Sequence, residues 1–133
     1  MLAITTKSPY AVRALAELAR RGGDAPVPIG DIATARGIPV QFLEGLFASL
    51  RRAGILQSQR GVKGGYRFAR PPGDVTVLEV VELLEGELGT EAEASGAVWV
   101  QAVAAVKDVL RDATIASIAE AEAQAAGQPM YYI

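Results

Sequence analysis

The 133-residue chain has no cysteine and no histidine. Without thiols it has no disulfide, no thiol nucleophile and no thiolate-held cluster. Without imidazoles it has no Ser-His-Asp triad and no zinc site of the usual kind. A site built from carboxylates alone stays open on chemical grounds, but no acidic spacing argues for one. Catalytic residues, metal ligands and cofactors are all read as none, and the chain is read as not an enzyme. Aromatic residues are scarce at 6%, while half the residues are hydrophobic. A core of Ala, Val and Leu suits closely packed helices. No apolar run approaches a membrane span and the N-terminus shows no signal-peptide pattern, so a cytoplasmic protein is expected.

The net charge of −2 conceals an asymmetry. Residues 1–72 hold eleven Lys or Arg against four Asp or Glu, and residues 73–133 hold two against eleven. A basic front and an acidic back suggest a polyanion-binding half joined to a half with another task.

The stretch "SPYAVRALAELARRGG" predicts a first helix. Ser8 is the expected cap and Pro9 fits the first turn. Val12, Leu15, Ala16, Leu18 and Ala19 form the apolar stripe, and Gly22-Gly23 stop it. Two further helices are predicted over 29–36 and 40–53, joined by a turn at Gly37, Ile38 and Pro39. Phe42, Leu43, Leu46, Phe47 and Leu50 recur at three-and-four spacing and face a core. Two helices about such a turn form a helix-turn-helix, whose second helix enters the DNA major groove. Val40, Gln41 and Glu44 are the side chains placed to reach base edges there. Glutamine can pair with adenine and glutamate can accept from the cytosine amino group. A capping or helix-dipole role for Glu44 stands beside that reading.

"ILQSQRGVKGGYRFAR" predicts a hairpin with strands over 55–59 and 66–69. Its connector carries three glycines, with Arg60 and Lys63 at the tip. A basic tip suits a DNA backbone or minor groove. Thr76 and Glu79 then have capping-box spacing at the start of another helix. "GELGTEAEASGA" reads as a flexible acidic loop, and a long helix follows over 95–113. Val98, Trp99, Ala102, Val106, Val109 and Leu110 lie on its apolar stripe and are the expected dimer contacts. Thr114 caps a last helix over 115–126, which Gly127 closes. Pro129 would then stop the tail "QPMYYI" from continuing it. The expected organisation is a mainly α chain with a small β-hairpin wing. Residues 1–72 form the winged helix-turn-helix, 73–127 a helical dimerisation region and 128–133 an apolar tail.

Over nearly its whole length the chain resembles the IscR/NsrR/CymR family of bacterial winged-helix repressors. "TTKSPYAVRAL", "IPVQFLEGLFASLRRAGIL", "RGVKGGYRF", "VTVLEVVELLEG" and "DATIAS" carry the likeness. It implies a homodimer on an imperfect palindrome of double-stranded DNA. It also implies phosphate anchoring by Thr6, Lys7 and Tyr10, base reading by Gln41 and Glu44, and a wing contact by Arg60. Gly45 departs from relatives with a polar side chain there, so their operator does not transfer. Many members hold an iron–sulfur cluster through loop cysteines, and this chain has none.

Within the family the cluster-free repressors of cysteine metabolism are the nearest in pattern, through "AVWVQAVAAVKDVL" and the ending "MYYI". That branch implies cysteine synthase (O-acetylserine sulfhydrylase) as a partner, with O-acetylserine dissolving the complex. Met130, Tyr131, Tyr132 and Ile133 are then the partner-binding residues, the isoleucine carboxylate entering the enzyme's active site. A second reading has the dimer sense a small molecule directly, with the tail packed on its own helices. A third is a winged-helix interaction module without a DNA role.

Overall fold

The computed structural model describes residues 2–62 and 64–131, the last four of these through their backbone alone. Helix α1 spans Lys7–Arg21. Ser8 does not cap it. Thr6 is the N-cap, and Ser8 is the second helical residue at 2% exposure, its hydroxyl donating to Glu85 Oε2 at 2.8 Å. That long-range partner outcompetes the local cap and lets the helix begin earlier. Pro9 falls in the first turn, where a missing N–H leaves no bond unmade.

Helix α2 covers Ile29–Arg36 and α3 covers Val40–Arg52. Gly37 between them adopts a left-handed conformation at φ 63°, ψ 38°, which suits a residue without Cβ. Strands β1, Leu56–Gln59, and β2, Gly65–Phe68, pair antiparallel with Leu56 opposite Phe68. Helix α4, Val77–Glu85, begins at Thr76, whose hydroxyl accepts from the Glu79 N–H at 3.1 Å. Only that half of the capping box forms, because the Glu79 carboxylate turns to Arg70.

The expected flexible acidic loop is instead ordered. Leu88 and Ala92 are buried, a short helix α5 covers Ala92–Ser95, and Glu82 accepts from the Leu88 N–H at 2.9 Å. Leu88 anchors the segment by packing with Val77, Leu78 and Val81. The long helix α6, Ala97–Asp112, runs over that cluster through Val106 and Leu110.

Helix α7 spans Ile115–Tyr131. Thr114 and Ser117 cap it reciprocally, each backbone N–H donating to the other's hydroxyl at 3.0 Å. Gly127 does not close the helix and Pro129 does not stop it. A proline inside a helix removes one i→i−4 bond and weakens the turn. Here the alanine-rich run before it carries helical structure through that defect.

The core gathers Leu15, Ile32, Leu43, Phe47, Leu50, Ile55, Val80 and Ile115, from α1 to α7. Each such side chain contributes about 1.5–3 kcal/mol relative to exposure. The elements also share a clamp. Arg36 Nε donates to Glu17 on α1 at 3.0 Å, and its two terminal nitrogens donate to Glu122 on α7 at 3.0 and 2.7 Å. Burial raises the Glu17 carboxyl, but hydrogen bonds from Arg36 and Arg21 outweigh it and hold the group below its usual range. The Arg36 hydrogen bond holds Glu122 low against burial. Arg36→Ala is expected to lower the unfolding free energy by about 1–3 kcal/mol, read as a reduced urea midpoint at constant m-value. Both carboxyls are depressed in the folded chain. Their contribution is therefore complete above about pH 4.3 and is lost as pH falls through the lowered folded values.

Candidate nucleic-acid interface

Pro39 is the N-cap of α3, so Val40, Gln41 and Glu44 occupy its first two turns. All three are exposed, while Leu43, Leu46, Phe47 and Leu50 on the opposite face are buried. Glu44 lies beyond the first helical turn, which holds no acidic residue. A helix-dipole role for it is thereby removed, since that effect fades within the first turn.

The N-terminal arm lies beside this helix. Glu85, at the end of α4, accepts from the Thr5 N–H at 2.7 Å, the Thr5 hydroxyl at 2.8 Å and the Ser8 hydroxyl at 2.8 Å. Burial acts to raise the Glu85 carboxyl, yet the Ser8 and Thr5 bonds hold it below its usual value. Thr6 and Lys7, held between these anchors, are exposed. Tyr10 is half-buried and meets Phe42 edge-on at 5.6 Å. Its ring thus fixes α1 against α3, and the Arg13 guanidinium stands 6.0 Å above it.

The wing is braced by a contact absent from the sequence reading. Val27 and Tyr66 exchange backbone bonds at 2.9 and 2.8 Å, which adds a third segment to the hairpin. The alternating "PVPI" before α2 was its faint signal. A Cβ on Gly65 would lie 2.3 Å from the Val27 carbonyl carbon, so this close approach requires glycine. At the tip, Arg60 is exposed and Val62 fully so. Lys63 lies outside the described residues, as do Tyr132, Ile133 and the side chains of Met130 and Tyr131.

Part of the basic front is already paired within the chain. Arg36 pairs with Glu122, Arg70 with Glu79 and Arg21 with Glu17. Lys7, Arg51, Arg52 and Arg60 are exposed on the arm, the end of α3 and the wing. Behind this face, α6 leaves Val98, Trp99 and Val109 at 66%, 48% and 68% exposure. Ala102, Val106 and Leu110 are half-buried, the last two shared with the cluster beneath α6. Exposed apolar side chains concentrated on one helix mark a surface that a partner would cover.

A helix-turn-helix with a braced wing is an architecture that DNA-binding transcriptional regulators use. The family model described as "Rrf2: Iron-dependent Transcriptional regulator" matches residues 4–121, and the chain belongs to this family. It is 32% identical over 122 residues to the HTH-type transcriptional regulator CymR of Bacillus subtilis, covering 87% of this chain and 88% of that protein. The structure of CymR, the global cysteine regulator of B. subtilis, superposes at a TM-score of 0.79 with 33% identity, over 90% of this chain and 98% of that one. The T. potens IscR structure superposes at 0.81 with 38% identity, over 98% and 97%. These proteins are transcriptional regulators rather than enzymes, as the sequence led us to expect.

The family description points to iron, and the donor set here does not fit an iron–sulfur cluster. The chain has neither thiol nor imidazole, and among the described residues no three acidic side chains gather as a metal site.

Gly65→Ala should unseat the wing from Val27. We expect a loss of about 1–3 kcal/mol and faster amide exchange at Val27 and Tyr66, with α1 unaffected.

Proposed function

We propose that the chain is a homodimeric repressor on imperfectly palindromic DNA. Support comes from Gln41 and Glu44, which stand free on the exposed face of α3 in a regulator family. The uncovered α6 stripe supports the dimer, and a two-fold dimer reads two half-sites. Lys7 and Arg60 neutralise phosphates, and Thr6 and Tyr10 position the arm. Glu44 and Gln41 read bases, with Val40 beside them. Lys7→Ala and Arg60→Ala should each weaken binding across sequences and flatten the slope of log K against log salt by about 0.9. Glu44→Ala should instead relax preference at one base pair, by about 1–3 kcal/mol. A slope unchanged by either cation variant would remove that residue from the interface.

The regulated process is cysteine and sulfur metabolism, and the sensor is an enzyme rather than a cluster. The likeness to a cysteine regulator supports the first part. The absence of cluster ligands supports the second. In this reading cysteine synthase captures Met130, Tyr131, Tyr132 and Ile133, and O-acetylserine displaces them. Capture needs an extended segment, whereas α7 runs to Tyr131. Gly127 and Pro129 make that last turn the weakest of the helix, so unwinding it costs little. Deleting Ile133 should abolish binding to cysteine synthase in a pull-down while leaving the dimer intact. Unchanged binding would sink the capture mechanism.

One observation favours direct sensing as the second reading. A cleft of about 410 Å³ lies between the end of α1 and the wing, lined by Leu18, Gly22, Asp24, Arg67, Phe68 and Arg70. A small molecule there would change the wing's seat. O-acetylserine altering DNA affinity of the isolated protein, with no enzyme present, would select this reading.

A further inference from the structure

The cleft between the end of α1 and the wing carries charges that do not meet. Asp24 and Arg67 both line it, and both are exposed. Elsewhere guanidiniums beside carboxylates pair with them, as Arg36 does with Glu122 and Arg21 with Glu17. Here Arg67 Nη1 donates to the Asp24 carbonyl at 3.4 Å rather than to its carboxylate, and Arg67 Nε donates to Gln57 at 3.1 Å. Among the described residues neither Asp24 nor Arg67 has an ion-pair partner. Arg70 adds a third charge to the wall. It gives one terminal nitrogen to Glu79, yet its Nε is buried without an acceptor. A buried donor left unmade costs stability and calls for an acceptor. A small turn of the guanidinium would bring it to an oxygen in the cleft.

The rest of the wall is largely apolar, supplied by Leu18, Phe68 and Pro72. The volume of about 410 Å³ falls within the roughly 300–1,000 Å³ of small-molecule sites. Guanidiniums are planar forks that match a carboxylate. An ammonium is the group that the Asp24 carboxylate would take. A plain anion would leave Asp24 unpaired beside it. Opposite charges a few bonds apart on a small apolar body describe an α-amino acid.

We propose that this cleft binds a small α-amino acid with an apolar side chain, its carboxylate on Arg67 and Arg70 and its ammonium on Asp24. Arg67 follows Tyr66, whose backbone pairs with Val27, so the ligand joins the loop after α1 to the wing where the wing is braced. The site deepens the direct-sensing reading, on which its effect on DNA rests, by naming the chemistry of the ligand.

The test titrates the full chain with the common L-amino acids at millimolar concentration and follows backbone amide shifts. At least one with an apolar side chain should shift Gly23, Asp24, Arg67 and Phe68 while leaving residues 40–52 of α3 in place. Amidating its carboxylate or acetylating its ammonium should each weaken binding about ten- to hundredfold. Asp24→Asn and Arg67→Gln should do the same, with melting temperatures within about 2 °C of the wild type. No shift with any amino acid would overturn the inference. Undiminished binding of the N-acetyl form would overturn it too, by leaving a plain anion site. DNA affinity is then measured with and without the amino acid, on duplexes enriched by the chain from a random pool. A changed affinity supports direct sensing. Binding in the cleft with unchanged DNA affinity supports the site and overturns direct sensing.

Discussion

Arg36 sits where α2 turns toward α3, and its guanidinium donates to carboxylates on α1 and α7. A planar fork with several fixed donors suits such a junction better than a flexible ammonium would. Without it, Glu17 would keep only Arg21 at 2.9 Å and Glu122 the more distant Arg20 at 4.0 Å, and no ion pair would join both carboxylates to α2. The clamp joins the first helix, the start of the helix-turn-helix and the last helix of the chain. The clamp fixes α2 just ahead of α3, while Leu43, Leu46, Phe47 and Leu50 seat α3 in the core with Gln41 and Glu44 exposed.

The same clamp changes the meaning of the charge pattern. A basic front and an acidic back suggest one surface for a polyanion and another for a different task. In the fold the two halves partly neutralise each other, through Arg36 with Glu122 and Arg70 with Glu79. The exposed cations on the arm, the end of α3 and the wing are Lys7, Arg51, Arg52, Arg60 and Arg67, while Arg13, Arg20 and Arg21 are exposed along α1. The first group makes a smaller but better placed phosphate-binding face. Glu85 contributes in the opposite sense, since an acid organises the basic arm by accepting from Thr5 and Ser8.

Periodicity made the helices of the front half legible, because Leu43, Leu46, Phe47 and Leu50 can share a face only in a helix. The wing strands were legible to within a residue through their flanking glycines. Local rules failed where a distant partner intervened. Ser8 has the chemistry of a cap, but Glu85 lies eighty residues away from Thr5 in sequence and claims both hydroxyls. The acidic stretch after Gly86 looked loose, because one leucine among glutamates gives no period, yet Leu88 finds a pocket under α6. Gly127 and Pro129 are helix-ending signals in isolation, and the alanine-rich helix passes through them. Of the interface, the exposed α3 positions followed from phase alone. The roles of Arg36 and Glu85 had no sequence signal, since ion pairs and hydrogen bonds between distant residues leave no periodicity.

If Arg36 makes the first, second and last helices one cooperative unit, their deepest amides should open together. Native-state hydrogen exchange at residues 32–36 of α2 and 118–122 of α7 measures this directly. Equal opening free energies in the wild type, lowered in step by Glu122→Gln, are the predicted result. Protection of α2 that survives unchanged while α7 opens alone would contradict it.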